Sequence, residues 1–105
     1  MEKKRSIEDM MKLYGTKWVY ISSRRTFTQF ILDADAAGFS FGGMSPLDMH
    51  YSDMISVHDD RSLVYVGFVG HMAFQCGQEE MGGKPFLRID YDKFISGRDD
   101  WAYKA

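Results

Sequence analysis

The chain reads as an α+β protein: one domain over residues 1–105, built on a mainly antiparallel sheet of four to five strands. One main helix packs on one face of that sheet, and a short helix precedes it at the N-terminus. Three observations predict this. Phe27, Phe30, Ile31 and Ala34 recur at helical spacing. The segments 17–21, 54–58, 63–69 and 86–91 are rich in β-formers and separated by turn residues. Their order, helix, strand, helix and then a run of strands, is that of helices gathered on one side of an antiparallel sheet.

In chain order, Ser6 with Asp9 three residues on predicts a helix start, with Ile7, Met10, Met11 and Tyr14 on one face and Gly15 as its C-terminal cap. Lys17–Ile21 (KWVYI) is apolar on both faces, as an interior strand is. Ser23 or Thr26 caps the main helix and Gly38 ends it. Phe39–Phe41 is expected as a short strand, followed by a loop from Gly42 through Tyr51. Met54–His58 and Leu63–Val69 form a hairpin across the turn Asp59-Asp60-Arg61, and the second of these is expected to be central because it too is apolar on both faces. Met72, Phe74 and Cys76 alternate with polar or small residues and read as extended. Residues 77–85 read as a loop. Phe86–Tyr91 alternates, with Leu87, Ile89 and Tyr91 facing one way and Arg88 and Asp90 the other, and a helical turn over 92–95 closes at Gly97.

With 45% hydrophobic residues and a net charge of only −2, the composition is that of an ordered globule, not a disordered chain. A domain of this size buries roughly two-thirds of its unfolded surface without a staple. Cys76 is the single cysteine, which points to a reducing compartment; with no apolar run near the ~18 residues of a membrane span, the expectation is bacterial cytoplasm and no membrane partner. Charge is uneven. Residues 1–25 carry +4 and residues 26–105 carry −6, which suits either a basic arm for an acidic partner or an acidic surface for a basic one.

Motifs for chemistry are sparse. His50, His58 and His71, with Cys76, are the candidate metal ligands of a small enzyme, but their spacing matches no zinc signature. His58-Asp59-Asp60 reads as a polar turn, where Asp bonds nearby backbone N–H groups. Gly82-Gly83-Lys84 is followed by Pro85, where a phosphate loop needs Ser or Thr. No catalytic residue and no cofactor is expected. A basic N-terminal segment with Trp18 and Tyr20 keeps open a nucleic-acid-binding regulator. The remaining signal is eight methionines, several beside loops (Met44, Met49, Met54, Met81), with Phe39, Phe41, Tyr51, Trp101 and Tyr103 at irregular positions, residue types that suit contact surfaces.

Over residues 17–41, WVYI, then Ser23 opening a helix with Phe27, Phe30-Ile31 and Ala34, then Ala37-Gly38-Phe39-Ser40-Phe41, resembles small proteins encoded by bacteriophages and other mobile elements. The hairpin MISVHDDRSLVYVGF is similar in style. The resemblance implies a mode of action: a stoichiometric inhibitor or adaptor of a host protein, of the anti-CRISPR kind, that occupies a nuclease's binding surface. On that view the acids Asp33, Asp35, Asp59, Asp60, Asp99 and Asp100 stand in for phosphates, with Trp101 and Tyr103 as contact aromatics. The chain is expected to be a monomer, or a homodimer paired through a sheet edge.

Overall fold

The computed structural model describes residues 4–67, 72, 80, 81 and 83–103. Its elements are α1 (Ile7–Met11), β1 (Thr16–Tyr20), α2 (Arg24–Ala36), a 3-10 turn (Pro46–Asp48), β2 (Met54–Val57), β3 (Leu63–Tyr65), β4 (Glu80–Met81), β5 (Lys84–Asp90) and α3 (Tyr91–Ile95). The strands form one sheet in the order β3-β2-β1-β5-β4. Every pairing is antiparallel except β1 with β5, which run parallel in register Thr16↔Phe86 to Tyr20↔Asp90. The predicted α+β class holds, and β1 is the interior strand that its two-sided hydrophobicity requires.

Local chemistry sets the helix ends. Ser6 and Asp9 form a reciprocal capping box at α1. Ser23 caps α2 through the Thr26 N–H. At the other end of α2, Phe39 N donates to Ala34 O and Gly38 N to Asp35 O, with Gly38 at φ +81°, a Schellman closure that a residue without Cβ adopts most readily. Gly15 does not cap α1, which stops at Lys12 and leaves Tyr14 exposed. Its role is close approach: at φ +141° it lies so near β5 that a Cβ would sit 2.6 Å from the Pro85 carbonyl oxygen.

The helices α1, α2 and α3 cover one face of the sheet. Phe27, Phe30 and Ala34 of α2, Ile7 and Met10 of α1 and Phe94 of α3 pack with Val19, Ile21, Ile55, Val57, Leu63 and Ile89. Phe30 and Tyr91 meet edge to face at 5.0 Å. Burying a ring of this size contributes ~2–3 kcal/mol. On the opposite face Trp18, Met54 and Phe86 make a smaller cluster, flanked by Tyr20, Val66 and Tyr103. Among the described residues, no helix is long and apolar enough to cross a membrane.

Further sequence expectations change. The segment opening at Leu63 is an edge strand of three residues, not a central one, and Val64 is exposed. The backbone of Ser40 bonds along its outer side, with Leu63 N donating to Ser40 O at 2.9 Å. Phe39–Phe41 makes isolated bridges to Ser62 and Met44 in place of a strand. β5 begins at Lys84, so two residues assigned to the preceding loop are extended. The alternating stretch Met72–Cys76 lies outside the described residues apart from Met72, which is helical and exposed.

Candidate functional site

The site is built where β5 ends. Asp90 is both the last residue of the strand and the N-cap of α3, its Oδ1 accepting from Lys93 N at 3.3 Å. The segment 101–103 returns along the same strand end: Asp90 N donates to Trp101 O and Tyr103 N to Arg88 O, each at 2.8 Å, with Ala102 bridged to Ile89. That pairing brings Tyr103 against Tyr20 of β1, with ring centroids 4.3 Å apart. It also sets Trp101 edge-on to Phe94 at 5.4 Å, packed against the main core.

Asp90, Lys93, Asp99, Asp100, Ala102 and Tyr103 line a depression of about 500 Å³ there. Its carboxylates differ. Asp100 takes two bonds from Arg98, at 2.8 and 2.7 Å, and lies 3.8 Å from Lys93 Nζ. The Arg98 bond holds its pKa below the usual value. Asp99 is fully exposed and 3.7 Å from Arg5. Asp90 is 8% exposed, and burial pushes its pKa up against the pull of the Lys93 N–H and the Lys93 ammonium. The same burial and the charges of Tyr103 and Asp90 raise Tyr20.

The other acids named from sequence sit elsewhere. Asp33 accepts from Gln29 Nε2 at 2.7 Å and from the Tyr91 hydroxyl, tying α2 to α3. Asp35 accepts from Ser45 Oγ at 2.8 Å and pins the loop after Gly43 to α2. Asp60 accepts from Ser62 N and Oγ, closing the β2–β3 turn. Asp59 bridges two lysines, with Oδ1 3.3 Å from Lys17 Nζ and Oδ2 3.5 Å from Lys84 Nζ. So of the eight residues named from sequence, Asp99, Asp100 and Tyr103 share one depression. Four acids hold turns and helices in place at other points, and Trp101, partly buried, packs against the core.

The remaining candidates divide in the same way. Met49, Met54 and Phe39 are buried, whereas Met44 and Tyr51 are exposed. Of the two aromatics of the nucleic-acid reading, Trp18 lies inside the fold and Tyr20 is half-buried; Lys17 of the basic segment is buried too, and Arg5 is laid over the Phe94 ring. His50 and His58 are exposed and His71 and Cys76 lie outside the described residues. Among the described residues, no three His, Cys, Asp or Glu side chains are grouped so as to hold a metal ion.

Sequence reasoning missed Asp90, the deepest carboxylate of the depression. The signal was present: an acid ending the alternating strand FLRID and standing three residues before Lys93 is an N-cap pattern at a strand-to-helix junction. Comparison of the chain with family models, curated proteins and solved structures gave no match.

Proposed function

We propose that this chain is a non-enzymatic binding module that docks a basic protein surface against the end of β5. The observation that carries the reading is the convergence of Asp90, Asp99, Asp100 and Tyr103 on one depression. Carboxylates at a rim steer a cationic partner and speed its arrival, and a tyrosine face supplies desolvated contact area. With the phage-like character of residues 17–41, the partner class is a host protein with a basic groove, such as a nuclease that the module inhibits by occupying its nucleic-acid surface. Cytoplasm of a bacterial host is the matching location.

Affinity capture with tagged protein, at low and moderate salt, tests this. The expected result is one host protein held near one-to-one, released by salt and lost in a variant carrying Asp99→Lys and Asp100→Lys. Capture that ignores both salt and charge reversal would sink the proposal, as would an empty capture in the cognate host.

A further inference from the structure

We infer that residues 5–13, the segment carrying α1, are a strap that opens as one unit from the rest of the fold and is held shut by a clasp at Arg61. The clasp begins in the backbone. Among the described residues, Arg61 alone takes a positive φ, +65°, while carrying a side chain. That conformation is costly for a residue with a Cβ and persists where its surroundings hold it. Here the side chain reaches back to two helices. One guanidinium nitrogen donates to Ala37 O at 2.8 Å, at the end of α2, and another to Glu8 Oε2 at 3.0 Å, on α1. The same group lies 5.4 Å from the centre of the Phe39 ring, and the Arg61 carbonyl accepts from Ser40 N at 3.0 Å. A rigid planar fork serves two acceptors on different elements at once, which a compact ammonium does poorly.

The strap needs a clasp because it has little stability of its own. α1 is five residues long, far short of the ~12–15 at which a helix is marginal alone in water, so it persists by docking. Ile7 and Met10 supply the apolar part of that docking. Beside them α1 does not close on its neighbours: Ile7, Glu8, Gln29, Asp33, Ala36 and Ile95 border a depression of about 420 Å³. At the start of the strap, Arg5 N donates to Ile95 O at 3.2 Å and its guanidinium to Arg98 O at 2.9 Å. The strap is thus tied down by an arginine at Arg5 and by another through Glu8. It contributes no strand to the sheet, so its release widens the depression along α2 and leaves every strand pairing in place.

Amide exchange of the whole protein, followed by NMR across sub-denaturing urea, tests the strap. The N–H groups of Arg5, Met10, Lys12 and Leu13 are hydrogen-bonded in the closed form. They should exchange at least about tenfold faster than the amides of β1 and share one urea slope, under about half that of β1. Arg61→Gly separates the clasp from the turn. Glycine adopts a positive φ at no steric cost, so a residue that only shapes the turn would leave strap exchange unchanged. Loss of the clasp should instead speed it about tenfold, with the shared slope kept. Arg61→Lys keeps the charge and the backbone demand but not the fork, and should speed it about threefold. Strap amides with the β1 slope, strap amides that scatter with no common slope, or an Arg61→Gly protein with parental strap exchange would each overturn the inference. The first two outcomes are read on the parent chain and need no variant. The strap does not rest on the binding-module reading, which host-protein capture tests separately.

Discussion

Lys17 and Asp90 lie on adjacent interior strands of the sheet, near opposite ends of the parallel β1–β5 pair, and each carries a charge beneath the surface. Lys17 is 1% exposed and Asp90 8%. At the Lys17 end the charge is answered within the chain. Its ammonium donates to Gly15 O and to Asp59 Oδ1, both at 3.3 Å, and the same carboxylate reaches across to Lys84 on β5. One side chain from the β2–β3 turn thereby ties the sheet together over three neighbouring strands. At the Asp90 end, the carboxylate accepts from the Lys93 N–H and feels the more distant Lys93 ammonium, and it lines a depression together with Tyr103. A buried charge with its counter-ion in the same chain is a structural joint.

The largest effects should come from breaking the closed end. Gly15→Ala places a Cβ against the Pro85 carbonyl at a backbone angle that side chains rarely adopt. Strain plus displacement should cost about 3 kcal/mol, read as a lower urea midpoint with an unchanged slope. A stable Gly15→Ala protein would mean that β1 and β5 do not approach as closely as described.

Next in size is the ion pair. Asp59→Asn leaves the Lys17 ammonium buried without its carboxylate and should destabilise by about 1–2 kcal/mol, less than a fully buried pair because Asp59 is two-thirds exposed. Lys17→Met removes the buried charge itself and should fall within about 1 kcal/mol of the parent, and the double variant should recover most of the Asp59→Asn loss. Equal losses in the two single variants, with no recovery in the double, would show that Asp59 acts on the turn and not on Lys17.

Much of this frame was legible in the sequence because local signals and global packing agree in it. The Ser6 and Ser23 caps, the Phe27–Phe30–Ala34 stripe and the alternation of Leu87 and Ile89 all read correctly from their own neighbours. What misled was two-sided hydrophobicity. It marks β1 as interior, where strands flank it on both sides, but Leu63–Tyr65 has the same composition and lies at the edge. Strand order depends on pairings between distant residues, on which single-strand patterning is silent. The acids failed for a related reason. Asp33, Asp35, Asp59 and Asp60 looked like free surface charge because their partners Tyr91, Ser45 and Lys17 are 10 to 58 residues away, or, for Asp60, in the turn itself. Lys17, an ammonium in the middle of an apolar strand, was the visible hint that one of those acids had to be elsewhere engaged.

The smallest expected effect separates the two ends most directly, by the sign of a pH slope. Asp59 has its pKa lowered chiefly by the Lys17 hydrogen bond, and Asp9, Asp60 and Asp100 are lowered by their own partners. The stability these groups supply is present above the unfolded carboxyl value of about 3.9 and is lost as pH falls through their lower folded values. Asp90 is shifted the other way, chiefly by burial. In the window just above pH ~3.9 the folded chain therefore holds this proton more tightly than the unfolded chain, so its contribution to stability falls as pH rises. Urea midpoints across pH 2.5–6.5, about the span of the two windows, should then diverge in opposite senses. Asp59→Asn should flatten part of the acid limb, while Asp90→Asn should lose the decline above it and gain on the parent as pH rises. If the Asp90→Asn and parent curves run parallel, the carboxylate is not desolvated, and only the Lys17 end of the sheet holds a charge out of water.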